Sequence, residues 1–127
     1  MSHTEQVELA RQAEAQADYA TAALHYSATG AHAQAASCFE RNAEPLKAAE
    51  AWQLAGEPAE ANRCMAEHHV AQGDMLAAAK CMEASAEAEF WAYHRAERYS
   101  LAARYYKLAG DDSRSEACQH AARLALR

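Results

Sequence analysis

Four cysteines and seven histidines are the residues of this chain that could hold a metal ion. Cys64 and His68 lie four residues apart, so the two side chains would share one face of a helix. His69 and His120 could complete a tetrahedral set of thiolate and imidazole ligands, which is the kind of set that binds zinc. This spacing raises the hypothesis of a metal-binding regulator.

A packing role accounts for the same cysteines and is the interpretation we favour. Three of them stand directly before phenylalanine or methionine, at a repeating core position: Cys38, Cys64 and Cys81. A free cysteine in a core behaves as a small apolar residue. The sequence has no C-x-x-C pair. We therefore predict no metal site and no cofactor.

A catalytic role would need a base, and His68 or His69 beside Glu67 or Asp74 is the best candidate. Imidazole and carboxylate groups side by side on a solvent-exposed face are common without function. The sequence has no nucleophile elbow, no glycine-rich phosphate loop and no His-Glu-x-x-His motif. We predict that the protein is not an enzyme.

Aromatic residues are crowded into one segment, where Phe90 to Tyr99 contains four of the ten in the chain. At about 100° per residue, neighbouring rings on a helix cannot all face one core. Either this helix is buried on two sides, or part of its aromatic surface is exposed to a partner. Trp, Tyr and Arg are the residue types enriched in binding hot spots. The predicted partner contacts are Trp91, Tyr93, His94 and Arg95.

The elements that would position these residues are helices, because the composition favours helices and disfavours β-strands. The sequence contains 36 alanines, no isoleucine, two valines and three threonines. Alanine is the best helix former, whereas β-branched residues favour strands. The predicted fold class is all-α.

Helix ends are marked by a small set of residues. Asp18 and Asp74 are typical N-caps, and Pro45 and Pro58 are typical first residues of a helix. Each of the four glycines can end a helix. We predict one helical-repeat domain over residues 1–127, with a capping helix at 1–17, repeats at 18–110 and a C-terminal helix at 111–127.

Regular spacing of the glycines indicates a repeat. Gly30 and Gly56 are 26 residues apart and Gly30 and Gly110 are 80 apart, which fits two and six steps of about 13 residues. A helix of about three turns is not stable alone, so each must bury its apolar face on its neighbours.

The segment between Gly73 and Gly110 contains neither glycine nor proline. Tyr19–Gly30 aligns with Tyr99–Gly110 without a gap, which puts Glu97-Arg98 at the position of the Ala17-Asp18 turn. This alignment predicts a break near Ser85 and two short helices, at about 87–96 and 99–109.

The stretch from Ala48 to Ala61, with Trp52 and Gly56 at its centre, resembles a tetratricopeptide-type unit. It is most similar to the looser variety in soluble attachment proteins and in the helical arms of coat and intraflagellar-transport proteins. The resemblance covers roughly residues 17–122, although the pair of helices takes 26 residues instead of about 34. It implies a right-handed αα-solenoid of about nine short antiparallel helices, which acts as a scaffold or adaptor for a peptide or helix of another protein.

Charge narrows the class of partner. The net charge is −6, and residues 1–63 carry nine acidic against four basic residues. Such a chain lacks the basic stripe of a nucleic-acid binder and favours a basic protein partner. No segment has the roughly 20 apolar residues of a membrane span. We expect a cytoplasmic protein, monomeric or homodimeric. The alternatives are a self-assembling structural module and a secretion-type chaperone for a small partner subunit.

Overall fold

The computed structural model describes all 127 residues and contains eight α-helices and no β-strand. The all-α prediction is confirmed, and the number of helices is eight rather than about nine. The helices are α1 (His3–Ala15), α2 (Tyr19–Ala28), α3 (His32–Arg41), α4 (Pro45–Leu54), α5 (Pro58–Ala71), α6 (Met75–Ala88), α7 (Ala92–Leu108) and α8 (Asp112–Ala125).

The chain divides into two compact units, an N-terminal unit of Met1–Glu57 and a C-terminal unit of Pro58–Arg127. The first contains α1 to α4 and the second contains α5 to α8. Within each unit, every helix packs against the next helix along the chain. This is the packing that a stack of helical hairpins requires. The single domain over 1–127 stays a prediction.

Alanine lines the core of the N-terminal unit. Five alanines there have no exposed surface and belong to one apolar cluster: Ala10, Ala22, Ala23, Ala35 and Ala36. Their small side chains let neighbouring helices approach closely, and larger side chains fill the remaining space. Tyr26 is buried in this cluster, and Trp52 is half-buried against it. A single helix of this unit would not be stable without its neighbours, because it is short and has only a narrow apolar face.

A hydrogen bond from an aromatic side chain to a glutamate on the preceding helix recurs in both units. The three pairs are Tyr26–Glu14, Trp52–Glu40 and Tyr106–Glu83. The first two pairs each span 12 residues and the third spans 23, because α6 and α7 are longer helices. Burial, and then the hydrogen bond to Glu14, raise the pKa of Tyr26 to about 12, so its phenol stays protonated and remains a donor.

Most helices end in the same left-handed turn. Ala17, Gly30, Ala43 and Gly56 have positive φ angles of 59°, 77°, 57° and 76°, at intervals of 13 residues. The next residue's N–H closes each turn onto a carbonyl of the last helical turn, as when Asp18 donates to the Ala13 carbonyl at 2.8 Å. The predicted 13-residue step is therefore present throughout the N-terminal unit.

Replacing the two alanines in these turns by glycine should stabilise the protein. A left-handed conformation costs a residue with a β-carbon roughly 1–2 kcal/mol, whereas glycine adopts it freely but loses more entropy on folding. We expect Ala17→Gly and Ala43→Gly each to raise the free energy of unfolding by about 1 kcal/mol in urea titrations.

Ala55→Gly is the matched control, because Ala55 precedes a turn glycine but has a φ of −78° in the right-handed helical region. This substitution should lower the free energy of unfolding by about 0.5–1 kcal/mol. A shift of the same sign at positions 17 and 55 would contradict the assignment of the turns.

Longer helices build the C-terminal unit. Its four helices have 14 to 17 residues, compared with 10 in each of α2, α3 and α4. Met82 and Tyr106 are the largest residues of its core, each 1% exposed, and they pack with Ala79, Ala102 and Cys118.

The predicted breaks between Gly73 and Gly110 are wrong. Ser85 lies inside α6, fully buried, and its hydroxyl donates a 2.7 Å hydrogen bond to the Ala59 carbonyl of α5. Glu97 and Arg98 lie inside α7 instead of in a turn. The Arg98 side chain instead contacts Glu60 of α5 and Ser85 of α6. Five helices, not six, therefore separate Gly30 from Gly110.

Candidate functional site

The connection between α6 and α7 is a turn held by side chains instead of a glycine. Glu89 leaves the helical conformation, with φ −79° and ψ 131°. Its Oε1 accepts hydrogen bonds from the backbone N–H groups of Phe90 and Trp91 at 3.1 and 3.3 Å. Its Oε2 lies 2.6 Å from Nη1 of Arg98. Arg95 donates to the Phe90 carbonyl at 3.2 Å. The aromatic residues of this turn are thus presented on a fixed backbone.

Three large aromatic side chains of this turn face solvent. Phe90 is 79%, Trp91 64% and Tyr93 70% exposed, and we call these three residues the aromatic turn. The rings of Phe90 and Trp91 meet edge to face with centroids 5.1 Å apart. The interpretation in which this segment is buried on two sides is wrong for these residues. Tyr99, which lies six residues after Tyr93 on α7, is half-buried against the core.

The four predicted contact residues occupy two kinds of environment. Trp91, Tyr93 and His94 are exposed, and the rings of Tyr93 and His94 are 5.9 Å apart. Arg95 is half-buried, and its Nε is buried without a hydrogen-bond partner. Its contact with the Phe90 carbonyl makes it a residue that positions the turn. Phe90 was not among the predicted contacts, although its place beside Trp91 in the sequence could have signalled it.

Beneath the aromatic turn lies a network of ion pairs centred on Arg98. The guanidinium of Arg98 contacts Glu60 at 2.7 Å, Glu89 at 2.6 Å and the Ser85 hydroxyl at 3.2 Å. Arg63 adds a second contact to Glu60 at 2.8 Å. Burial opposes ionisation of Glu60, but the hydrogen bonds from Arg98 and Arg63 outweigh it and lower the pKa of Glu60. The network therefore ties α5 to the base of the aromatic turn.

A groove of about 820 Å³ lies between α7 and α8. Tyr93, which belongs to the aromatic turn, also lines this groove, so the groove and the aromatic turn are adjacent. Its floor is made of small buried residues, and the Ser115 hydroxyl donates to the Ala103 carbonyl at 2.8 Å, which joins the two helices. The lining residues are Tyr93, Ala96, Glu97, Ser100, Leu101, Ala103, Arg104, Lys107, Ser115, Gln119, Ala122, Arg123 and Leu126.

The residues considered for metal binding are not assembled into a site. No three of Cys64, His68, His69 and His120 bring their ligand atoms within 4.8 Å of one another. Cys64 is fully buried, whereas His120 is exposed on α8. His68 and His69 are half-buried neighbours with ring centroids 5.5 Å apart.

Three of the four cysteine thiols, those of Cys38, Cys81 and Cys118, are in environments that disfavour the thiolate. Burial raises the pKa values of Cys38 and Cys81, and it raises the pKa of Cys118 to about 11 with the help of the nearby Glu83 carboxylate. A thiol must lose its proton to act as a metal ligand or a nucleophile. Of the three cysteines predicted at a repeating core position, Cys38 and Cys64 are buried and Cys81 is half-buried, and Cys118 is buried in the core of the C-terminal unit.

Comparisons of this chain with protein-family models, with curated proteins and with solved structures found no match. None of the eight helices has both the length and the apolar character needed to cross a membrane. The function of this chain therefore has to be inferred from its own geometry.

Proposed function

We propose that this chain is a non-catalytic scaffold or adaptor that binds a peptide or helix of another protein, with the aromatic turn as its main contact. The observation that carries the proposal is the exposure of Phe90, Trp91 and Tyr93, at 64–79%, on a turn fixed by Glu89 and Arg95. Large exposed apolar groups mark interaction sites, and aromatic anchors dominate binding energy. A fixed backbone reduces the entropy lost on binding.

The proposed architecture is a tetratricopeptide-like, right-handed αα-solenoid. Its support is the 13-residue step of the left-handed turns and the packing of each helix on the next within a unit. Such folds serve many unrelated functions, so the binding role rests on the aromatic turn and not on the fold.

The proposed partner is a protein in the cytoplasm. The net charge of −6 argues against nucleic acid as the ligand. All four cysteines are free, as expected in a reducing compartment. A second copy of the chain remains the alternative partner, which would make the protein a self-assembling module.

The double variant Trp91→Ala/Tyr93→Ala tests the proposal. We expect the immobilised wild-type chain to retain a discrete protein from an extract of its native host, and the double variant to lose at least about 90% of it, because anchors of this type contribute roughly 2 kcal/mol or more each. Retention is measured by quantitative mass spectrometry.

Leu24→Ala/Leu54→Ala is the matched control, since these leucines are 66% and 69% exposed but lie on α2 and α4. This control should retain the protein as the wild type does. Equal retention by the two double variants, or no specific retention by the wild type, would refute the proposed function. Capture of the chain itself would identify the self-assembling alternative.

A further inference from the structure

We propose that the groove between α7 and α8 binds an acidic amphipathic helix of the partner protein, with small apolar residues on the face that enters the groove. This inference rests on the proposed function and specifies the chemistry of the partner at the same surface. It concerns Arg104, Lys107 and Arg123, which no sequence pattern singled out.

The local charge of the groove is opposite in sign to that of the chain. Arg104, Lys107 and Arg123 line it against one carboxylate, Glu97, although the whole chain has a net charge of −6. All four side chains are exposed. None of the three basic residues forms a salt bridge with a carboxylate of the chain. Their charges are available to a ligand, and complementarity calls for an acidic one.

The shape of the groove suits a helix. Tyr19–Gly30 aligns with Tyr99–Gly110, and Cys38 follows Gly30 by eight residues just as Cys118 follows Gly110 by eight. By this alignment α8 is the counterpart of α3. In the N-terminal unit α3 packs against α4, and Ala51 of α4 is buried in the shared cluster. By analogy, the equivalent surface of α8 can pack against a helix that presents small residues to it.

The residues at the floor and rim of the groove indicate which residue types each face of the bound helix carries. Ala103, Ser115 and Ala122 are at most 7% exposed and form a shallow floor that small side chains can approach closely. Leu101 and Leu126 provide apolar walls, and Tyr93 connects the groove to the aromatic turn. Acidic residues on the flanks of the bound helix would reach the three basic side chains at the rim. The chain's net charge predicts a basic partner, but the groove's own charge favours an acidic one.

Two synthetic helical peptides test this inference by fluorescence anisotropy. Both carry alanine and leucine at positions i, i+3, i+4 and i+7; one has glutamate on the flanking positions and the other has lysine there. We expect the glutamate peptide to bind at least about tenfold more tightly, since it can form ion pairs with the three basic residues at the rim, whereas the lysine peptide is repelled by them. Its affinity should fall as salt rises from 50 to 500 mM.

Charge-reversed variants locate the binding site. Arg104→Glu/Lys107→Glu should abolish the preference for the glutamate peptide or reverse it. The control Arg11→Glu/Lys80→Glu makes the same change in net charge at exposed positions on α1 and α6, and should keep the preference. Circular dichroism verifies that both variants are folded.

Equal binding of the two peptides, tighter binding of the lysine peptide, or no binding of either would overturn this inference. The proposed function would still stand if extract retention depends on Trp91 and Tyr93. Sedimentation velocity on the same samples tests the remaining alternative, in which a second copy of the chain occupies the groove. Self-association that Arg104→Glu/Lys107→Glu abolishes would assign the groove to a second copy of the chain and would also overturn the inference.

Discussion

Arg98→Ala is expected to lower the free energy of unfolding by about 3–5 kcal/mol. The Arg98 side chain is 12% exposed and contacts Glu89, itself 11% exposed, and Glu60, which is 28% exposed. Removal of the guanidinium leaves Glu89 without its counter-charge and leaves Glu60 with Arg63 alone. The penalty of an uncompensated buried charge exceeds the net value of the ion pair. The aromatic turn should loosen as well, because Glu89 caps its backbone.

Chemical denaturation of Arg98→Ala beside Arg104→Ala measures this effect. Arg104 is exposed on the same helix and has no salt bridge, so its replacement should change the free energy of unfolding by less than about 0.5 kcal/mol. A similar small loss for Arg98→Ala would contradict the network described here.

The pH dependence of the same pair of proteins gives an independent check. Folding lowers the pKa of Glu60 from its usual 4.5, so its stabilising contribution is present above pH 4.5 and is lost as pH falls through the lowered pKa. The difference in stability between wild type and Arg98→Ala should therefore be largest above about pH 5 and shrink below pH 4.

Tyr106→Ala is expected to cost about 3–5 kcal/mol. Tyr106 is 1% exposed and packs against Met82 and Cys118 in the core of the C-terminal unit. The substitution removes the ring's contacts and leaves a cavity. Burial and the hydrogen bond to Glu83 raise the pKa of the phenol, which keeps it protonated as a donor. Tyr106→Phe removes only this hydrogen bond and should cost about 0.5–1.5 kcal/mol.

Tyr93→Ala is the control for this core substitution. Tyr93 lies on the same helix and is 70% exposed, so the same chemical change should alter the free energy of unfolding by less than about 0.5 kcal/mol. Melting temperatures that fall equally in Tyr93→Ala and Tyr106→Ala would contradict the arrangement of α7. An unaffected Tyr93→Ala also shows that a binding defect at this position does not arise from unfolding.

Much of the fold is accounted for by local sequence signals. Asp18 and Asp74 are the predicted N-caps, and each accepts a hydrogen bond from a backbone N–H of its helix. Ser2 and Asp111 cap α1 and α8 in the same way. Local signals failed between Gly73 and Gly110 because the repeat changes there. Glu97 and Arg98, which align with the turn at Ala17 and Asp18, lie in the middle of α7. There Arg98 makes long-range contacts with α5, which no local sequence pattern predicts.

The candidate site was only partly accessible to sequence reasoning. Crowding of aromatic residues identified Trp91 and Tyr93, because neighbouring positions on a helix cannot share one buried face. The ion-pair network that supports the turn includes a distant residue, because Arg98 contacts both Glu89 and Glu60, which lies 38 residues earlier on α5. The groove depends on how α7 and α8 pack, so the grouping of Arg104, Lys107 and Arg123 could not be predicted from their spacing.

Site-specific photo-crosslinking in the native host tests whether the aromatic turn contacts a partner protein. A photoreactive amino acid is placed at position 93 on α7 or at position 24 on α2, both exposed. We expect a discrete crosslinked protein from position 93 and none from position 24. A crosslink from position 24 alone, equal crosslinks from both positions, or none from either would contradict the proposed role of the aromatic turn.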